Sequence, residues 1–137
     1  MDNKHMDGRY LFRAQREKVE DNLKLEVQTK EVWVYGGITI NADGEMCIQN
    51  EVGVIVIEPG TQGQCTGLSA KNGLTFDGDV IEISGTKYEI VHIDDEAKFV
   101  LVCEEGKHHP VRRKDIEISE IIGKVHDNPE LRIYNKL

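Results

Sequence analysis

The sequence predicts a mostly β protein: N-terminal β-hairpin strands, a C-terminal SH3-like small barrel and a short C-terminal helical turn. Three observations carry this. Apolar and polar residues alternate at period two, as in Leu23-Lys24-Leu25-Glu26-Val27 and Tyr88-Glu89-Ile90, which is the pattern of half-buried strands. The apolar runs are rich in β-branched residues and are separated by short clusters of Gly, Asn, Asp and Ser. Near the end, Asn128-Pro129 followed by Glu130 is a helix start: Asn caps free N–H groups, Pro suits the first helical position, and an acid suits the helix dipole.

Taken in order, Tyr10, Phe12 and Ala14 alternate with Arg9, Leu11 and Arg13. Asp21-Asn22 separates this run from Leu23, Leu25 and Val27, so Arg9–Val27 reads as a hairpin. A helix through Val19, Leu23 and Val27 is the rival reading, since these positions also fit a spacing of four. Val32-Trp33-Val34-Tyr35 leads through Gly36-Gly37 to Ile38-Thr39-Ile40, and Asn41-Ala42-Asp43-Gly44 is a turn with glycine placed for positive φ. Met46-Cys47-Ile48 and Val52–Ile57 are further strands, ended by Pro59-Gly60. A block dense in turn residues follows, with Gly63, Cys65-Thr66-Gly67, Asn72-Gly73 and Asp77-Gly78-Asp79. It is expected to lead the chain into the second part. There the strands are Val80–Ile83, Tyr88–Ile93, Phe99–Cys103, Ile116–Ile118 and Ile121–Val125, divided by turns at Ser84-Gly85, Asp94–Glu96 and Glu104–Lys107. Five short strands with tight turns fit a small closed or half-closed barrel. A helical turn should run from Pro129 towards Tyr134 and dock Leu131 and Ile133. The expectation is one domain over residues 1–137, with an N-terminal β part at 8–62 and a barrel part at 63–131.

A chain of 137 residues, 39% hydrophobic and 31% charged, buries a core without staples. No apolar run approaches the roughly 20 residues needed to span a bilayer, and the first residues, Met1–Asp7, lack the apolar stretch of a secretory signal. Cys47, Cys65 and Cys103 are odd in number and widely spaced, which suits free thiols in a reducing cytoplasm. The net charge is −8, unfavourable for nucleic acid unless the cations cluster. No Lys or Arg occurs between Lys30 and Lys71, where Glu45, Glu51 and Glu58 lie. The one tight basic cluster is Arg112-Arg113-Lys114.

Candidate chemistry is sparse. Asp77 and Asp79 flank Gly78 and could face one cation from a strand, but a turn-bonding role for Asp79 is the stronger reading. His108 and His109, with Cys103 and His92, are the best metal candidates, yet their spacing matches no established zinc pattern and a plain surface loop outweighs it. His126-Asp127 are sequence neighbours and do not imply an acid–base pair. Ser69, Ser84 and Ser119 stand in no nucleophile elbow, and no phosphate-cradling glycine pattern occurs. Cys65 reads as a buried, inert thiol. Trp33 and Tyr35 read as core and rim.

Several blocks taken together resemble the YopX family, found mainly in bacteriophages and prophages. These are Leu11-Phe12-Arg13-Ala14, Gly63–Leu68, Lys71-Asn72-Gly73, Gly78-Asp79-Val80, Ile122-Gly123 and Asp127–Leu131, so the resemblance spans about Gly8 to Leu131. The chain departs from the family's usual pattern at Cys65, where an aromatic residue is common, and at Lys124, where Asn is usual. The resemblance implies a mostly β protein that self-associates, with no catalytic residue to carry over.

The functional expectation is therefore a non-enzymatic accessory protein of phage or prophage origin, needing no cofactor or metal. It would act through a homo-oligomer or a host or phage protein partner, with Glu45, Glu51 and Glu58 as a possible acidic contact surface. The alternative is a nucleic-acid-binding small barrel using Arg112, Arg113 and Lys114.

Overall fold

A computed structural model describes residues 11–17 and 32–134. Two sheets make up the fold. The first contains β1 (Phe12–Gln15), β2 (Trp33–Ile40), β3 (Met46–Asn50), β4 (Gly53–Val56), β5 (Gly63–Ala70) and β6 (Gly73–Phe76) in the order β4-β3-β2-β1-β5-β6. The second contains β7 (Asp79–Ile83), β8 (Thr86–Ile93), β9 (Lys98–Cys103), β10 (His108–Pro110) and β11 (Glu120–Lys124) in the order β10-β9-β8-β7-β11. One short helix, α1 (Arg113–Glu117), lies between β10 and β11. The mostly β expectation holds, and every strand pairing among the described residues is antiparallel.

β1 is central to the first sheet. Phe12 and Arg13 pair with β2 on one side and with Gln64 and Gly63 of β5 on the other. The partner expected for β1 from the sequence, Leu23–Val27, lies outside the described residues. The sheet curls at its far end: Arg16 bridges Ile57, and Glu58 N donates to Gln15 O at 2.7 Å. Ala14, Val34, Ile48 and Ile57 pack inside the curl. The turn expected at Asn41–Gly44 forms, with Asn41 Oδ1 accepting from the N–H groups of Asp43 and Glu45.

The glycine-rich block is mostly strand. β5 and β6 hydrogen-bond into the first sheet, so Gly63–Phe76 extends that sheet. The turn chemistry is confined to two places. Ala70 pairs with Gly73 across Lys71-Asn72, and a register shift lies between Cys65 and Ser69. Inside that bulge Thr66 Oγ1 meets Thr75 Oγ1 at 2.6 Å and accepts from Leu68 N at 3.0 Å. The hydroxyls thus occupy polar groups where the ladder is interrupted.

The second sheet buries both faces. Ile81, Ile90 and Leu101 pack with Ala70 of β5 and Ile116 of α1 on one face. Val91, Val100 and Val102 pack with Ile133 and Tyr134 on the other. This explains why the expected barrel does not close among the described residues: β10 and β11 are both edges, and the apolar faces are covered by other segments rather than by curling edge to edge. The edges are blunted in other ways. β10 is three residues long and contains Pro110, and side chains occupy backbone groups of β11. Asn72 Oδ1 accepts from Ile121 N at 2.8 Å, and its Nδ2 donates to Ile121 O at 2.9 Å.

Two local expectations are corrected. Ile116-Glu117-Ile118 is not a strand; Ile116 and Glu117 close α1 and Ile118 follows it. Residues two apart in a strand share a face, whereas in a helix they point nearly opposite ways. Here Ile116 is fully buried and Ile118 is 54% exposed, which only the helix allows. The C-terminal helical turn is a 3-10 turn over Pro129–Leu131 that stops short of Tyr134. Asn128 makes no side-chain cap to it; its Oδ1 accepts instead from Lys124 N at 3.2 Å. Beyond the turn, Ile133 N and Tyr134 N both donate to Oε1 of buried Glu89 at 2.8 Å.

Candidate functional site

The blocks singled out in the sequence converge where the two sheets meet. β6 ends and β7 begins at Asp77-Gly78. Gly78 takes φ +95°, a region open to glycine at little cost. Its N–H donates to Ile90 O at 2.8 Å, and its carbonyl accepts from Val125 N at 2.9 Å. The sheet junction is thereby stitched to β8 and to the segment after β11. Gly63 permits a second close approach: a Cβ there would lie 2.7 Å from Asp77 O.

Arg13 reaches into this junction from β1. Its Nη1 lies 2.8 Å from Asp79 Oδ1, with the two side chains 3% and 0% exposed. That oxygen makes a charge contact with the guanidinium rather than an aligned hydrogen bond. The other carboxylate oxygen accepts from Phe76 N at 2.8 Å, and Arg13 Nη2 donates to Asp77 O at 3.3 Å. The guanidinium carbon sits 5.0 Å from the Trp33 ring centre and 4.8 Å from that of Phe76, within cation–π range. Burial pushes the Asp79 carboxyl above its ordinary value, against the opposing pull of Arg13.

The terminal block closes over the same place. Asp127 accepts from Trp33 Nε1 at 2.9 Å and from Gln15 Nε2 at 3.2 Å. Lys124 Nζ lies 6.0 Å from the Trp33 ring centre, and the His126 ring is 6.2 Å from it. Beside this joint a cleft of about 590 Å³ opens between β6 and β11. Arg13 and Asp79 line it, Lys124 adds a cation, and Tyr35, Leu74 and Ile122 give it apolar walls. Those three side chains are 42%, 41% and 38% exposed.

Chemically the joint is saturated. Asp79 is committed to Arg13 and Phe76 N, so the turn role expected for it holds. Asp77 points elsewhere, its Oδ1 accepting from His92 N at 3.0 Å, and the two acids do not share a cation site. The Cys65 thiol is buried, and that burial raises its pKa, which opposes formation of the reactive thiolate. His108 and His109 alternate along β10 and pair with different rings, Tyr134 and Tyr88. His92 bonds Asp94 at 2.7 Å. No group of three or more His, Cys, Asp or Glu among the described residues is placed to hold a metal ion. Arg112, Arg113 and Lys114 are exposed at the start of α1, away from the cleft lining. Glu45 and Glu51 lie beyond opposite ends of β3, about 20 Å apart along a strand of this length. Glu58 follows Ile57, whose N–H donates to Met46 O, so it sits toward the Glu45 end.

Sequence reasoning missed Arg13, Glu89 and the Asn72 latch. Alternation around Arg13 suited a strand sampling both faces and assigned Arg13 no partner. The signal that could have found it was joint: a cation in one family-like block and an acid, Asp79, in another.

The fold and this joint define a class, an antiparallel two-sheet β protein whose halves are locked by a buried ion pair. The family follows from comparison: the model described as YopX protein matches residues 2–132, nearly the whole chain, and the chain belongs to that family. No curated protein matches it.

Proposed function

We propose that this chain is a non-enzymatic accessory protein of phage or prophage origin, working in the host cytoplasm by binding a protein partner or a second copy of itself at the seam cleft. One observation carries this reading: Tyr35, Leu74 and Ile122 are exposed around a cleft whose buried charges, Arg13 and Asp79, are paired with each other. A site with its buried charges paired and its apolar rim open suits burial of a partner's apolar side chains more than bond-making chemistry. The acidic residues Glu45, Glu51 and Glu58 are split between the ends of β3 and favour the reading less. No helix among the described residues is long and apolar enough to cross a membrane.

The test is a paired comparison of wild type and Leu74→Lys/Ile122→Lys, both checked for folding by circular dichroism. Sedimentation velocity reads self-association, and affinity capture from phage-bearing cells reads a stoichiometric partner. The reading expects one of the two in the wild type and its loss in the variant. A wild type that is a monomer without a partner, or a variant that keeps its assembly, refutes it.

A further inference from the structure

We infer that the β10–α1 edge of the second sheet is a separate binding surface for single-stranded nucleic acid. The run Lys107-His108-His109-Pro110-Val111-Arg112-Arg113-Lys114 contains no acid. Every residue in it except Val111 is exposed, while Val111 anchors the run to the core around Ile81 and Leu101. Lys107, Arg112, Arg113 and Lys114 make no ion pair or side-chain hydrogen bond among the described residues. In a chain with 25 acids and 17 bases, four cations within eight residues, none of them paired among the described residues, are an asymmetry that internal pairing does not explain. Glu104 and Glu105 precede the run, Asp115 follows it, and Glu117 lies one helical turn from Arg113, so acids border the run without interrupting it. More distant acids are screened beyond about 10 Å at 0.1 M salt.

The second observation concerns rings. His108 lies 5.7 Å from Tyr134 and His109 lies 5.8 Å from Tyr88, centre to centre, on the two faces of β10. The exposed member of each pair is the histidine. Cations flanking exposed rings can track a phosphate backbone while a ring on the face that the strand follows offers a π-face to an unstacked base. A duplex keeps its bases stacked and would use the cations alone, and an acidic protein would make no use of the rings. β10 is also the outermost strand of its sheet, so no other described strand covers its free edge.

Fluorescence anisotropy of the full chain against a labelled oligothymidylate of about 15 nucleotides tests this. Four phosphate contacts give a slope of log affinity against log salt of about −2.8, so affinity should fall roughly 50-fold between about 50 and about 200 mM salt. Arg112→Gln/Arg113→Gln/Lys114→Gln should flatten the slope to about −0.7 and abolish most binding. His108→Ala/His109→Ala should keep the slope and weaken binding roughly tenfold. Lys98→Gln, which removes a cation already paired with Glu96 at 3.1 Å, should bind as wild type. The inference is overturned by absence of binding at the lowest salt, by a triple variant that still binds, or by a duplex or polyglutamate binding as tightly as the single strand. It is likewise overturned if the histidine variant binds as wild type. Circular dichroism of each variant separates loss of binding from loss of fold. The cleft variant Leu74→Lys/Ile122→Lys should bind the oligonucleotide no less tightly than wild type, which separates this surface from the seam.

Discussion

Removing the Asp79 carboxylate should be among the most damaging single changes in this protein. Asp79→Ala leaves the Arg13 guanidinium buried at 3% exposure with no counter-charge, and breaking a buried pair in this way costs about 3–5 kcal/mol. It also orphans the N–H of Phe76, whose acceptor is Asp79 Oδ2, a loss of about 1–3 kcal/mol taken alone. The two losses share one network and do not add, so the expected cost is about 4 kcal/mol. At roughly 0.05–0.15 kcal/mol per residue a chain of this length has about 7–15 kcal/mol to lose, so the variant should still fold. Urea unfolding followed by Trp33 fluorescence measures the change, because Trp33 stacks on Arg13 and bonds Asp127. The diagnostic comparison is Arg13→Met/Asp79→Leu. With no charge left to desolvate, it should be more stable than Asp79→Ala and lose only the cost of the unpaired Phe76 N–H. A cost below about 1 kcal/mol for Asp79→Ala would refute the argument, as would a double variant no better than the sum of its single changes. The pH dependence supplies an independent sign. The native carboxyl holds its proton above the ordinary value of 3.8, so the folded state binds that proton more readily than the unfolded chain. This contribution to stability is fully present below 3.8 and is lost as pH rises through the folded value. Wild type should therefore lose stability more steeply than Asp79→Ala across that window.

Three further outcomes follow from the packing. Gly63→Ala should cost about 1–3 kcal/mol in urea unfolding, because the new Cβ would lie 2.7 Å from Asp77 O, a backbone atom held by Arg13; a neutral substitution would show that the junction yields. Glu89→Ala should release the C-terminal segment, with amide exchange at Ile133 and Tyr134 accelerating far more than at β8 and β9, since both N–H groups lose one shared acceptor; equal acceleration everywhere would mean that the segment is part of the global unit. Cys47, Cys65 and Cys103 are all buried, so a thiol reagent should leave native protein unlabelled and modify all three in denaturant; rapid labelling of native Cys65 would contradict its burial.

Strand placement was largely legible in the chain because period-two alternation and turn residues report local geometry directly. The Asn41–Gly44 turn and the runs Tyr88–Ile93 and Phe99–Cys103 appear nearly where the pattern puts them. Family membership was legible for a different reason: the blocks at Leu11–Ala14, Gly63–Asp79 and Ile122–Leu131 are specific in combination. Local pattern failed where a residue answers to distant neighbours. Ile116-Glu117-Ile118 alternates like a strand, yet the pocket formed by Ala70, Ile81, Ile90 and Leu101 takes Ile116 alone and so favours a helix. Alternation assigned Arg13 no partner, yet the fold carries it to Asp79, and the ion pair offsets a burial that neither residue could bear singly.

By itself, then, the sequence determined the β class and most of the turns, since each depends on neighbours within a few positions, and the family, through blocks that are specific in combination. Only the tertiary structure decided that the second sheet stays open, because its faces are covered by α1, β5 and the Ile133-Tyr134 segment rather than by its own edges. It likewise decided that most of the glycine-rich block is strand of the first sheet, with the joint confined to Asp77-Gly78. Arg13, Asp79 and Asp127 are separated by long stretches of chain, and their meeting is a property of the fold's closure that no local pattern encodes.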